Sequence, residues 1–383
     1  MTVEKHIHTN LADPITIQRP VIIEFGAGTV SLAGRWAAGN NFSRILIVAD
    51  PFNASRIDLL ELSGEVTVFG EVRPEPDVPN LEAVLALAQQ VKPDLVIGFG
   101  GGSAMDIAKL VAALSGGGQK IHDVVGLEKI DQKGAALLQI PTTSGTGSEA
   151  GTRALVTDPS TQNKLAVQSL YMLADAVILD PALTHTVPSA VTAATGVDAL
   201  AHCVEAFTSK KSHPLIDMYA LEGIKLVGRF LARAVADGSD TEARAGLSLA
   251  SLYGGFCLGP VNTTAGHAIA YPLGTRHHIA HGAANALIFP HTLAFNAPIV
   301  SEKTAAVLAA LGAENVSGED DVFAAAYRYC ESLGCEMKLS ALKVPRDDLA
   351  IMASEAHAIR RLLDNNPRDI SQDQILALYE RAY

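Results

Sequence analysis

The chain has 383 residues, 48% of them hydrophobic, with 29 lysines and arginines against 41 aspartates and glutamates, a formal net charge of −12. That length exceeds the size at which a single core stops growing, so two domains are expected. The acidic balance argues against nucleic acid or an anionic membrane as partner, each of which calls for a basic face.

Residues 20–28 (PVIIEFGAG) read as an apolar strand closed by glycines, and 44–50 (RILIVAD) as a buried strand ending in an acid. A short strand follows at 66–72, a helix at 81–92, a strand at 94–100 and a helix at 104–116. This alternation predicts a mostly parallel sheet covered by helices, with ligands at the carboxyl ends of its strands. ALLQIP at 136–141 and then RALVTD, KLAVQS and AVILDP add further strands. Beyond Pro188 the pattern changes to alanine-rich helices, as in VTAATGVDALAHCVEAF and ALEGIKLVGRFLARAV. The boundary is placed between residues 184 and 190. The expectation is an α/β domain over 1–186 and an all-α domain over 187–383.

No stretch offers the roughly 18 uninterrupted apolar residues of a membrane span, and MTVEKHIHTNLADP at the start has no apolar core of a leader. A cytoplasmic protein is expected. Cys203, Cys257, Cys330 and Cys335 lack the paired short spacings of a zinc ribbon or a disulfide framework and read as inert thiols.

Strand 94–100 runs into Gly100, Gly101, Gly102 and Ser103 at the head of a helix. Backbone N–H groups there point outward, and glycines let a pyrophosphate approach them. The turn is either a dinucleotide site or an ordinary glycine-rich turn. It is not the G-x-G-x-x-G fingerprint, because Ser103 stands where the third glycine belongs. Asp50, ending its strand, is placed to bind a ribose diol and repel a 2′-phosphate, which favours NAD over NADP; the plainer role is a turn residue before Pro51. A second loop, PTTSGTGSE at 141–149, offers Thr142, Thr143, Thr146 and Ser148 to the cofactor, or is a polar turn.

Residues 266–291 hold five histidines. His267 and His281 are spaced as ligands from two consecutive elements, and Asp198 and His202 stand at i and i+4, on one helix face. One carboxylate and three imidazoles suit a divalent ion such as Fe²⁺ or Zn²⁺. Arg276, His277 and His278 lie between the two histidine ligands and, with Arg153, either bind an anionic group of a substrate or form a solvated basic loop. Tyr271, His277 or His278 can pass a proton to solvent; Tyr271 can equally be a packing residue. His291 reads as a supporting residue.

With these pieces in order, the chain resembles the iron-containing (group III) alcohol dehydrogenases. The residues that carry the likeness are FGGGSAMDIAK at 99–109, PTTSGTGSE at 141–149, ATGVDALAHCVEAF at 194–207 and GHAIAYPLG through AHGAANALIFPH at 266–291. The resemblance implies a dehydroquinate-synthase-like architecture of an N-terminal α/β dinucleotide domain and a C-terminal helical domain, with a metal between them. It implies Asp198, His202, His267 and His281 as ligands, Asp50 at the adenosine ribose, the GGGS turn with Asp106 and the threonine loop at the cofactor, and Lys164 near the cofactor ribose. It also implies a homodimer. The activity it implies is reversible hydride transfer between NAD and a small alcohol, a hydroxy acid or other anionic alcohol included.

One position departs from the pattern. The family usually reads HPLG where this chain reads YPLG, so Tyr271 stands in place of a histidine often assigned to proton relay. A tyrosine there resembles the hydroxyacid-oxoacid transhydrogenases, and changes around this motif mark maleylacetate reductases, so both stay open as alternatives. Dehydroquinate-synthase-like lyase chemistry would need a phosphate-binding set of basic residues, and the DALAH and GHAIAYPLG pattern speaks against it.

Overall fold

RILIVA carries no charge after its first residue, and from Ile45 to Ala49 it is buried, which requires cover on both faces of a sheet. The computed structural model describes residues 11–161 and 163–383; the opening residues read for a leader lie largely outside that range. In chain order the first half comprises β1 (Ile22–Phe25), α1 (Leu32–Gly39), β2 (Arg44–Ala49), α2 (Pro51–Ala54), β3 (Glu65–Phe69), α3 (Val78–Val91), β4 (Leu95–Gly100) and α4 (Gly102–Leu114). It continues with β5 (Gly126–Leu127), β6 (Ala136–Pro141), β7 (Arg153–Asp158), β8 (Asn163–Gln168) and β9 (Ala176–Leu179).

Six strands form one parallel sheet in the order β1-β9-β6-β4-β2-β3. Ile45, Ile47, Leu95, Ile97, Leu138 and Ile140 pack one core face with no solvent exposure. Each contributes about 1.5–3 kcal/mol of burial. Register then positions the functional loops: Ala49 lies opposite Phe99, and Gly100 opposite Pro141. The segments that leave β2, β4 and β6 therefore start side by side at the carboxyl edge. A separate small sheet, β5-β8-β7, carries the antiparallel β7–β8 pair.

Two helix starts differ from expectation for local reasons. Helix α3 begins at Val78, three residues early, because the Asp77 side chain accepts from the Asn80 N–H and caps it. Helix α4 begins at Gly102, inside the glycine turn itself. The short helices α1 and α2 were not foreseen.

The second half is helical: α5 (Ser189–Thr208), α6 (Pro214–Ala236), α7 (Thr241–Leu258), α8 (Ala265–His277), α9 (His281–Asn296), α10 (Ser301–Ala310), α11 (Glu319–Ser332), α12 (Leu349–Ala358), α13 (Arg360–Leu363) and α14 (Gln372–Ala382). Ile269 and Leu273 of α8 share a buried cluster with Leu287, Met352, Leu362 and Tyr379. The Tyr379 hydroxyl donates to the Ile269 carbonyl at 2.5 Å and ties α14 to α8. The chain divides into two compact units, Ile17–Thr186 and Val187–Tyr383, and the described residues before Ile17 group with the second. That segment joins no strand of the sheet. Burial pushes the Cys203 thiol up to about 12, so it is inert at neutral pH.

Candidate functional site

Alanine-rich α5 presents Asp198, His202 and Glu205 along one stripe, all buried. Glu205 faces the start of α8, whose preceding Thr264 makes no side-chain cap. Its Oε2 accepts from the Thr264 N–H at 2.5 Å and the Thr264 hydroxyl at 3.0 Å, placing a carboxylate at a helix N-terminus. Its Oε1 lies 2.6 Å from His267 Nδ1. A Cβ on Gly266 would sit 2.5 Å from that same oxygen, so only glycine lets the two approach. With Nδ1 committed to Glu205, His267 presents Nε2 to Asp198 Oδ1 at 3.5 Å.

His281 is the first residue of α9, and its Nε2 is also 3.5 Å from Asp198 Oδ1. His202 Nε2 is 3.9 Å from it. The four donor atoms lie within 4.8 Å of one another. Bonds of about 2.1 Å in a tetrahedral shell would separate donors by about 3.4 Å, so this set fits one small divalent ion. Asn285, one turn beyond His281, donates its amide to Asp198 Oδ1 at 2.6 Å and orients the carboxylate.

The charges agree with that fit. Burial alone would raise the Asp198 carboxyl, yet the imidazoles of His202, His281 and His267 hold it well below the usual carboxylate range. Burial drives His202 down to about 4, toward the neutral form a metal requires. Burial opposes charge on His267 as well, but Glu205 and Asp198 outweigh it and hold the imidazole up to about 10. Two buried carboxylates thus demand positive charge at this point, which a divalent cation supplies.

Of the four residues expected to act on substrate, only Tyr271 contacts the ligand rings among the described residues, 6.0 Å from His281 and 6.5 Å from His267 between centroids. One turn after His267, it lies on the same face of α8. The other three lie elsewhere. The guanidinium of Arg276 forks onto Glu355 through two bonds of 2.6 Å and is not free for an anion. His277 Nε2 faces Asp348 at 3.4 Å. His278 is exposed and terminates α8 in the left-handed region, φ 54°. Arg153 donates to Gln168 Oε1 at 3.0 Å.

In the α/β unit the three loops meet as the register dictates. A Cβ on Gly102 would lie 2.6 Å from Thr146 Cγ2, one on Gly101 3.3 Å from Thr143 Oγ1, and one on Gly100 3.0 Å from Asp50 Oδ2. Asp50 caps α2, accepting from the Phe52 and Asn53 N–H groups, and its other oxygen takes the Asn53 amide at 2.6 Å. Asn53 also donates to Thr142 Oγ1 at 3.2 Å, coupling the first and third loops. Ser103 stands in the first turn of α4.

Three expected cofactor residues are turned to other work. Asp106 accepts from Ser148 Oγ at 2.5 Å and from the Leu155 N–H at 2.9 Å, so both of its oxygens and the Ser148 hydroxyl are engaged inside the fold. Buried Lys109 joins them, donating to Ser148 Oγ at 2.7 Å and the Arg153 carbonyl at 2.6 Å. These residues buttress the loops from behind. Lys164 pairs its ammonium with Glu75.

The residues missed were Glu205, Asn285, Asn53 and Lys109. Glu205 had a signal, three residues after His202 and seven after Asp198 on one helical stripe. Asn285 had another, four after His281.

The profile of the iron-containing alcohol dehydrogenases matches residues 20–181, and that of the Fe-containing alcohol dehydrogenase family, C-terminal, matches residues 192–383. Long-chain-alcohol dehydrogenase 1 of Geobacillus thermodenitrificans (strain NG80-2) is 37% identical over 88% of this chain and 89% of its own. A solved 1,3-propanediol oxidoreductase superposes with a TM-score of 0.92 at 30% identity, covering 97% of this chain and 100% of that one. A sulfoacetaldehyde reductase from Bifidobacterium kashiwanohense, solved in complex with NAD+, superposes with a TM-score of 0.86 at 28% identity, over 97% and 99%.

Proposed function

The chain belongs to the iron-containing alcohol dehydrogenase family, and from that premise we propose that it interconverts a small alcohol and its aldehyde or ketone by reversible hydride transfer with NAD. The observation that carries the reading is the convergence of one carboxylate and three imidazoles within 4.8 Å. Asp198, His202, His267 and His281 would hold one divalent ion, Fe²⁺ or Zn²⁺. When bound, the ion supplies Lewis acidity to the substrate oxygen and the nicotinamide supplies the hydride acceptor.

This chain's residues do the rest. Glu205, against Nδ1, would fix the tautomer of His267 and leave its Nε2 for the ion. Asn285 holds Asp198. The Tyr271 hydroxyl, which forms no hydrogen bond among the described residues, would pass the alcohol proton toward solvent, a reading its ring's place 6.0 Å from His281 supports. Gly100, Gly101, Gly102 and Ser103 offer backbone donors to the pyrophosphate, and Thr142, Thr143 and Thr146 line the neighbouring loop. Asp50 beside Gly100 favours the ribose diol of NAD over the 2′-phosphate of NADP. The likeness to a reductase solved with NAD+ supports the same cofactor.

No helix among the described residues is long and apolar enough to cross a membrane. We read the working form as a cytoplasmic homodimer, which light scattering of the purified protein tests for assembly. A panel of neutral alcohols and hydroxy acids run with NAD+ or NADP+, and of aldehydes run with NADH or NADPH, on protein reconstituted with Fe²⁺ or Zn²⁺, tests the activity. Metal-dependent turnover with NAD is expected; turnover that survives complete chelation would refute the reading.

A further inference from the structure

Three arginines, on α8, on α13 and shortly after α13, are already paired with carboxylates. Arg276 is held by Glu355, Arg360 pairs with Asp364, and Arg368 pairs with Glu319 at 3.7 Å. Arg361, next in sequence to Arg360 on α13, is exposed, and among the described residues no carboxylate pairs with it. Its guanidinium lies instead 5.7 Å from the centroid of Tyr271. That is cation–π range, and a guanidinium so used keeps its in-plane N–H donors for another partner.

Tyr271 gives this placement its meaning. The same ring stands 6.0 Å from His281, so the unneutralised cation is one side chain removed from the ligand set. We propose that Arg361 binds an oxyanion carried by the substrate, making the preferred substrates short alcohols and aldehydes that bear a carboxylate or sulfonate. This deepens the proposed function and rests on it. The reacting oxygen would engage the ligand set while the anion lies beyond Tyr271 on the Arg361 side. A planar carboxylate or a sulfonate can take two N–H bonds from the fork, which an alkyl end cannot. Arg276, which the sequence leaves open between an anion-binding group and part of a solvated basic loop, has its fork filled by Glu355, so in this proposal the anion falls to Arg361.

The test compares 4-oxobutanoate, 3-oxopropane-1-sulfonate and neutral butanal as substrates of the metal-reconstituted protein with NADH, in wild type and in Arg361→Met and Arg361→Lys. Charge-assisted bonds at a partly solvated site set the expected scale. The ratio of kcat/KM for an anionic aldehyde over butanal should fall about tenfold or more in Arg361→Met, through KM rather than kcat, and recover in part in Arg361→Lys. Which anion loses more identifies the oxyanion. Independently of turnover, ligand-observed NMR should show unreactive butanoate or ethanesulfonate binding more weakly to Arg361→Met. A ratio that falls for neither anion, with binding of both anions unchanged, overturns the proposal. Failure of wild type to reduce any of the three aldehydes would instead sink the dehydrogenase reading, and the NMR arm would still decide whether Arg361 holds an anion.

Discussion

Asp198, His202, His267 and His281 meet through side chains from three helices, whereas Gly100 to Ser103, Thr142 to Thr146 and Asp50 meet as the backbone ends of adjacent parallel strands. In the first region the candidate functional atoms are imidazole nitrogens and a carboxylate, with Glu205 against His267 and Asn285 against Asp198. In the second, the proposed donors are backbone N–H groups beside glycines, which offer no Cβ. The difference teaches where each region is fragile. A metal centre fails when a donor or its orienting partner is lost; a nucleotide turn fails when an atom is added.

The largest effect should come from deleting a donor. His267→Ala should remove stoichiometric metal, read by elemental analysis, and lower kcat/KM by about 10³-fold or more, the several kcal/mol that Lewis-acid assistance represents. Retained metal with retained activity would break the comparison. Removing the orienting partner is the next test. Glu205→Gln should weaken metal affinity by about 10–100-fold in chelator competition while every donor remains. Unchanged affinity would reduce Glu205 to a cap on α8.

The nucleotide region should respond to addition. Gly102→Ala places a methyl 2.6 Å from Thr146 Cγ2 and should raise KM for NAD about tenfold with metal content unchanged. Thr146→Ala in the same chain should recover part of the loss. If KM does not move, the turn is not where the pyrophosphate sits.

The smallest effect concerns the support behind those loops. Glu149 is buried with Oε2 unbonded, and burial, opposed by Lys109, raises its carboxyl from the ordinary 4.5 to about 7. Because the folded value is the higher one, the stability tied to the protonated form is complete below 4.5 and is lost as pH rises through about 7. Glu149→Gln should therefore raise Tm relative to wild type by about 2 °C or more at pH 8 and change little at pH 4. Equal shifts at the two pH values would point to packing instead of ionisation.

Much of both regions was legible in the sequence, for identifiable reasons. RILIVAD, DLVIGFG and ALLQIP are uniform apolar runs, and a run of that kind fits only the interior of a covered parallel sheet. Asp198 and His202 share a face by helical arithmetic alone, and the glycine turn announces itself by composition. What the sequence does not show is the partner of each charged or polar side chain, where that partner lies far along the chain. Arg276 meets Glu355 at a separation of 79 residues, Lys164 meets Glu75 at 89, and Ser148 meets Asp106 at 42.

The sequence by itself determined the order of elements, the apolar cores, the glycine turn and the donor types of the metal centre, because these follow from periodicity and local stereochemistry. Only the tertiary structure decided which charges are spent and which are free. It gave Arg276 and Lys164 carboxylate partners from far along the chain, set His277 beside Asp348, placed Glu205 against His267 and Asn285 against Asp198, and left Arg361 facing Tyr271 with no paired carboxylate among the described residues. A charge in a folded chain is defined by what lies within about 4 Å of it, and that neighbourhood is set by packing across the whole unit.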